Sequence, residues 1–206
     1  MADLDSRQTV ELLRGQAIGA HTSVELNLCN LFQYLLRTDL ETAGIVFYAI
    51  QNARIRNTTI EKLLKLRHGD DFSFFWNSWR KECKKIDDQR NSIAHWLLST
   101  TKQIKDGVWQ PPESALKHPT YRTKGDWHPV EKYTAQRLSD FADECYDLAF
   151  AIRLFHGYLA DGDLQGREPE PLHDIFRQPI IYPIPSDSPL SRIWQKPETP
   201  PPPSGE

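Results

Sequence analysis

The chain has 206 residues, 39% of them hydrophobic and 26% charged, and its formal net charge at pH 7 is −3. This composition predicts a globular domain with a sizeable core, and the charge excludes a general polycationic nucleic-acid binder. There is no apolar run long enough to cross a bilayer, and the opening residues lack the layout of a signal peptide, so we expect a cytoplasmic protein without a membrane partner.

The first predicted helix carries an apolar stripe, a row of apolar residues at steps of three and four. The stripe consists of Val10, Leu13, Ala17, Ala20, Val24, Leu28, Leu31 and Leu35. The second helix is predicted to begin at Thr38, with Glu41 completing a capping box, and to end at Gly69. Its stripe consists of Val46, Ile50, Ala53, Ile60 and Leu64.

The third helix is predicted to begin with Asp70 or Asp71 as its cap. Its stripe consists of Phe72, Phe75, Trp79, Cys83, Ile86, Ile93 and Leu97. Arg90 takes a position in this stripe where an apolar residue would be expected, which indicates that the arginine has a partner or a function.

The fourth helix has the most regular stripe, which consists of Leu138, Phe141, Cys145, Leu148, Ile152, Phe155 and Leu159. Four amphipathic helices without a strand-rich region predict an all-α fold, a four-helix up-and-down bundle. The three cysteines fall in different helices without a local activating motif, so we expect buried, reduced thiols. The histidines show no metal-ligand spacing, and neither a metal nor a cofactor is expected.

Residues 1–163 are predicted to form the bundle domain, interrupted by an insertion at about 102–131 between the third and fourth helices. Turn-forming pairs such as Asp106-Gly107, together with several apolar residues, predict an ordered segment that is either irregular or a small hairpin. Residues 164–206 hold eleven of the fifteen prolines and predict an extended tail with a disordered end. The apolar strip 179–185 is suited to lie across the bundle or a partner.

Residues 90–95, Arg-Asn-Ser-Ile-Ala-His, carry the main functional signal. Arginine is a permanent cation whose planar fork suits phosphate, and histidine exchanges protons near neutral pH. Asn91 and His95 are four residues apart and share a helical face, whereas Arg90 points about 100° away from Asn91. One straight helix therefore cannot bring the three side chains together, and their convergence needs a kink or a second copy of the chain.

This hexapeptide resembles the motif of the HEPN superfamily, an arginine followed by a polar residue and, with four intervening residues here, a histidine. The resemblance covers about residues 7–160 and implies a dimeric helical bundle. Many members are metal-independent endoribonucleases of toxin–antitoxin, phage-defence and RNA-processing systems, so RNA and an antitoxin or other protein are the implied partners. Leu97 stands where some of these toxins carry a tyrosine that the antitoxin modifies, so that mode of silencing is not expected.

The implied reaction is attack of the ribose 2′-hydroxyl on the adjacent phosphorus, which gives a 2′,3′-cyclic phosphate and a 5′-hydroxyl. His95 would transfer a proton, Arg90 would neutralise charge on the phosphorane, and Asn91 would orient the phosphate or His95. One histidine performs only one of the two proton transfers at a time, so a second copy is expected to supply the other.

Residues 76–126 carry ten basic and six acidic side chains, whereas residues 139–174 carry nine acidic side chains and two arginines. A basic region around the motif suits an RNA backbone. The candidate RNA-binding residues are Lys81, Lys84, Lys85 and Trp96. The alternatives are that the lysines form the solvated face of the helix and that Trp96 is a core or dimer-interface aromatic. Arg54 and Arg56 are a further basic pair that could join an RNA groove.

A competing hypothesis is a non-catalytic helical module that binds a nucleotide or protein as a dimer, with the Pro-rich tail as an interaction arm. In that case Arg90 and His95 flank a structural ion pair at the dimer interface. Outside any functional site, an arginine here would pair with a carboxylate such as Asp87 or Asp88, or with the acidic fourth helix. Exposure distinguishes the two hypotheses, because Arg90 open to a groove favours catalysis and Arg90 sealed against a buried carboxylate favours a structural role.

Overall fold

The computed structural model describes residues 5–102, 104–119, 132–165, 170–188 and 190. The helices in these ranges are α1 (Ser6–Leu36), α2 (Leu40–Ala49), α3 (Ala53–His68), α4 (Ser73–His95), α5 (Ala135–Gln165) and α6 (Glu170–Phe176). The strands are β1 (Leu97–Thr101), β2 (Ile104–Lys105), β3 (Val108–Trp109), β4 (Glu113–Lys117) and β5 (Lys132–Tyr133). None of the helices in the described ranges is both long and apolar enough for a membrane crossing.

The fold is mostly helical, and the prediction of a purely all-α fold is wrong because one strand of the predicted insertion, β4, forms a small sheet with the strands that flank the insertion, β1 and β5. Its three antiparallel strands have the order β1-β4-β5. Strands β2 and β3 form a separate hairpin whose turn is Asp106-Gly107, with φ angles of 52° and 75°. Two successive left-handed residues suit the twist of a two-residue hairpin, which explains this pair. Residues 120–131, the last part of the predicted insertion, lie outside the described ranges.

The four-helix count is also wrong, because the predicted second helix is two helices. The chain breaks at residues 50–52, and the Asn52 side chain caps α3 by accepting a hydrogen bond from the Ile55 amide at 3.2 Å. The predicted cap at Thr38 is replaced by Asp39, whose carboxylate accepts from the Thr42 amide at 2.8 Å. Aspartate next to the start of a helix is a strong cap, which favours the later start.

The start of α4 also differs from the expectation. Phe72 occupies the capping position, and neither Asp70 nor Asp71 caps the helix with its side chain. The backbone carbonyl of Asp70 instead accepts from the Ser73 amide at 3.0 Å. The predicted end of α3 at Gly69 is confirmed, and its φ of 63° is the left-handed conformation that favours glycine.

Helix directions follow from contacts between side chains. Helix α1 runs parallel to α3 and antiparallel to α4, and α5 runs antiparallel to α4, so α2 serves to bring the chain back along α1. The contacts are Glu25–Arg56 and Tyr34–Arg67 for α1 and α3, His21–Asp87 and Arg14–Ala94 for α1 and α4, Trp79–Leu148 and Gln89–Arg137 for α4 and α5, and Phe32–Phe47 for α1 and α2.

The core lies between α1, α4 and α5. Every residue of the predicted α5 stripe is buried, and so are the first six residues of the α4 stripe. Leu97 is 52% exposed because α4 has ended and this residue belongs to β1. Val46 is exposed, and Phe47 is buried in its place. The three cysteine thiols are buried and unpaired as expected, and burial raises the pKa of Cys83 and of Cys145.

The segment after α5 packs back onto the bundle. Phe176 at the end of α6 is buried, with its ring centroid 5.0 Å from that of Phe75 and 5.1 Å from that of Phe155. The Ile180 amide donates to the Ser78 hydroxyl at 2.8 Å, so the predicted apolar strip lies across the bundle. Residues 191–206, which include the predicted disordered end, lie outside the described ranges.

Candidate functional site

A groove of about 1070 Å³ lies between α1, the beginning of α3 and α4. Its basic lining residues are Arg54, Arg56, Arg80, Lys81, Lys84 and Arg90, and its acidic ones are Glu25, Asp87 and Asp88. The groove is therefore twice as rich in cations as in anions, although the whole chain is slightly acidic. Such a local excess raises the concentration of anionic ligands.

The cations of the groove come from two helices, α4 and α3. Lys81, Lys84, Asp87 and Asn91 follow each other at steps of three and four on α4, so they project from one face of that helix. The first turn of α3 supplies the opposite wall, where Arg54 and Arg56 line the groove as the sequence suggested they could. These two basic segments lie far apart in sequence and meet only because α3 packs on α4.

Arg90 is half-buried and opens on this groove. Its Nη1 donates to Oδ1 of Asn91 at 3.2 Å, while its Nε is buried without a hydrogen-bond partner among the described residues. Within the same ranges no carboxylate forms an ion pair with Arg90. Its charge is thus not neutralised by a fixed anion, although Asp87 and Asp88 lie on the same helix.

His95 does not join the other two motif residues. Helix α4 continues without a break to His95, its last residue, whose side chain is exposed and does not line the groove. The structure therefore brings Arg90 and Asn91 together within one chain and leaves His95 outside. This arrangement agrees with the helical geometry, in which the three side chains cannot converge from one straight helix.

The predicted RNA-binding residues divide into two groups. Lys81 and Lys84 line the groove, whereas Lys85 lies outside it and forms an ion pair of 2.5 Å with Glu82. Trp96 is half-buried, with its ring 5.2 Å from that of Tyr133. It packs against the core as part of the junction between α4 and β1, which supports its alternative role as a core aromatic.

Sequence reasoning missed a histidine–carboxylate pair in the groove. His21 of α1 is 6% exposed, and its Nε2 lies 2.9 Å from Oδ1 of Asp87 on α4. Beside it, Glu25 forms an ion pair of 2.5 Å with Arg56. The sequence offers one indication of this pair. His21 falls between Ala20 and Val24, on the buried side of the first stripe, and an ionisable group that is buried needs a partner.

Among the described residues no group of three or more His, Cys, Asp or Glu side chains is placed to hold a metal ion. Comparison of the chain with protein families, with curated proteins and with solved structures found no match. Its function is therefore inferred from the chemistry of the groove and of the motif beside it.

Proposed function

We propose that this protein is a metal-independent endoribonuclease of the HEPN type, which binds RNA phosphates in the groove and cleaves the chain by attack of a 2′-hydroxyl. The observation that carries the proposal is the environment of Arg90. An arginine kept for a structural ion pair lies against a carboxylate, because an uncompensated buried charge is costly. Arg90 instead faces an open groove, and within the described ranges its one hydrogen-bond partner is the Asn91 amide.

The other cations of the groove support a phosphate ligand. Arg56 and Arg80 are each held by a glutamate, Glu25 and Glu61, at 2.5 Å. Among the described residues, the groove cations without an ion pair are Arg54, Lys81, Lys84 and Arg90. Charges that no carboxylate neutralises can exchange their counterions for a nucleic-acid backbone, which is the main source of affinity for RNA and DNA.

Catalysis in this proposal needs a homodimer. Arg90 stabilises the negative charge that develops on the phosphorane, and Asn91 orients the phosphate. His95 transfers a proton, and its exposed position at the end of α4 leaves it accessible to RNA held by a second copy of the chain. The reaction is proposed for the cytoplasm, with an antitoxin or another protein as a further partner.

The test is cleavage of single-stranded RNA by purified wild-type protein, Arg90→Ala and His95→Ala in the presence of chelator. Wild type is expected to leave 2′,3′-cyclic phosphate ends, and each variant to be slower by at least about 100-fold. DNA of the same sequence should stay intact because it lacks the 2′-hydroxyl. Arg153→Ala, which removes an exposed arginine of α5, is the control expected to cleave like wild type. Full activity of His95→Ala would contradict the mechanism.

The second candidate is a non-catalytic dimeric module that binds a nucleotide or a protein. It is favoured by one observation, the placement of His95 outside the groove that holds Arg90. In this case RNA binding depends on Arg90, neither wild type nor variants cleave, and His95→Ala binds like wild type. Fluorescence anisotropy on the same proteins shows whether RNA binds, and binding without cleavage by wild type identifies this candidate.

A further inference from the structure

The groove contains a histidine that the proposed mechanism does not use. His21 is buried in the groove lining, and its Nε2 lies 2.9 Å from Oδ1 of Asp87. No described residue forms a hydrogen bond with its Nδ1. The imidazole is thus fixed at Nε2, and its Nδ1 is not engaged by any of the described residues.

Asp87 determines which nitrogen can accept a proton. When the carboxylate accepts a hydrogen bond from Nε2–H, the neutral imidazole keeps its lone pair on Nδ1. Asp87 also precedes Arg90 and Asn91 by three and four residues, so the three side chains are neighbours on the surface of α4. The same face of the helix therefore presents the carboxylate that orients His21 and the guanidinium that suits a phosphate.

We propose that His21 is a catalytic residue of this groove, the base that takes the proton from the 2′-hydroxyl, and that Asp87 is its positioning residue. The inference rests on the proposed ribonuclease function. As the bond between O2′ and phosphorus forms, the hydroxyl proton moves to Nδ1 of His21. The bond between phosphorus and O5′ breaks, and O5′ takes a proton from the His95 of a second copy of the chain. The products are a 2′,3′-cyclic phosphate and a 5′-hydroxyl, and solvent returns the proton from His21 to His95.

This assignment removes a difficulty of the motif. Each site then needs one His95 and not two, because His21 supplies the base beside Arg90 and the His95 of a second copy of the chain supplies the acid. Water is displaced from a buried imidazole more completely than from an exposed one, which strengthens its hydrogen bond to a carboxylate.

The two histidines can be distinguished with RNA in which sulfur replaces the bridging 5′-oxygen at the cleavage site. A thiolate leaves without being protonated, so this substrate rescues the loss of an acid and does not rescue the loss of a base. Single-turnover rates in chelator are measured for wild type, His21→Gln and His95→Gln on both substrates. We expect each variant to be at least about 100-fold slower on ordinary RNA. His95→Gln recovers to within about tenfold of wild type on the sulfur substrate, and His21→Gln stays slow.

Asp87→Asn is the second variant, and it decides the question if His21→Gln does not fold. It is expected to be slow on both substrates, because the amide no longer fixes the tautomer of His21. Glu82→Gln is the matched control, since Glu82 lies on the same helix outside the groove and is expected to leave both rates unchanged. Circular dichroism and urea unfolding confirm that each variant is folded.

The outcomes separate the two proposals. Absence of cleavage by wild type overturns the ribonuclease function, and the role of His21 with it. Cleavage that requires His95 but is retained within threefold in folded His21→Gln overturns the role of His21 alone. Rescue of His21→Gln by sulfur overturns it as well, because a base would not be bypassed by a better leaving group.

Discussion

Neighbouring lysines of α4 differ in what surrounds them. Lys84 lines the groove and has no ion pair among the described residues, whereas Lys85 lies outside and pairs with Glu82 at 2.5 Å. A cation near a phosphate releases a counterion when RNA binds, and a cation on another face does not. Lys84 and Lys85 are the same residue type at adjacent positions, and they differ in the direction in which the side chain leaves the helix.

We predict that Lys84→Ala weakens RNA binding about three- to tenfold and lowers the slope of log affinity against log salt by about one. Lys85→Ala should change neither quantity measurably. Fluorescence anisotropy titrations at four salt concentrations measure both. Equal losses for the two variants would mean that RNA lies on the outer face of α4 and not in the groove.

Some residues of the candidate site can be recognised from the sequence, and others cannot. Arg90 could be recognised because it interrupts an apolar stripe, and Asn91 and His95 because they follow it at fixed spacing. His21 could not be assigned, because its partner Asp87 is 66 positions away and only the packing of α1 on α4 brings them together. The spacing of residues along the sequence shows which side chains share a face of one helix. It does not show how three helices pack to form a groove.

At the scale of the element, α4 holds two tryptophans with different polar environments. Trp76 and Trp79 are both buried and stack with ring centroids 5.4 Å apart. Nε1 of Trp79 donates to the Leu148 carbonyl of α5 at 3.1 Å. Nε1 of Trp76 is buried without a partner among the described residues. One indole therefore ties α4 to α5, and the other carries an unsatisfied donor.

We expect Trp79→Phe to lower the free energy of unfolding by about 1–2 kcal/mol more than Trp76→Phe does. Both substitutions remove the same ring volume, so their difference isolates the hydrogen bond to α5. Urea unfolding followed by circular dichroism measures it. A larger loss for Trp76→Phe would show that the indole of Trp76 has a partner in solution.

The elements differ in how far periodicity could predict them. The stripes of α1, α4 and α5 are long enough to define a face, and the buried residues agree with them. The break at residues 50–52 was missed because apolar residues continue across it at helical spacing. The sheet was missed because β5 has two residues and its partner strand β4 begins 19 positions earlier. Pairing over such distances leaves no local pattern.

At the scale of the whole molecule, the stability of the bundle should depend on pH through His156. This residue is half-buried on α5, with its ring 5.7 Å from that of Tyr34, and burial lowers its pKa below the ordinary value of 6.5. The unfolded chain therefore binds more protons than the folded one between the two pKa values. Stability from this group is complete above pH 6.5 and is lost as the pH falls below that value.

We predict that His156→Gln reduces the loss of stability between pH 7.5 and pH 5.5. The measurement compares free energies of unfolding in urea for wild type and variant at both pH values. Other titrating groups contribute equally to the two proteins, so the difference between them reports His156. A steeper loss in the variant would mean that the charged form of His156 is the one that the fold stabilises.

The parallel packing of α1 and α5 has a consequence for how the protein is made. These helices cover each other's apolar faces, yet about 100 residues separate the end of one from the beginning of the other. On the ribosome α1 emerges early, and the part of its apolar face that α5 covers stays exposed until α5 has been synthesised. Because the groove is lined by residues 21–91, all of its walls are synthesised before α5. We expect a fragment that ends before α5 to aggregate or to be degraded, because its apolar faces stay uncovered.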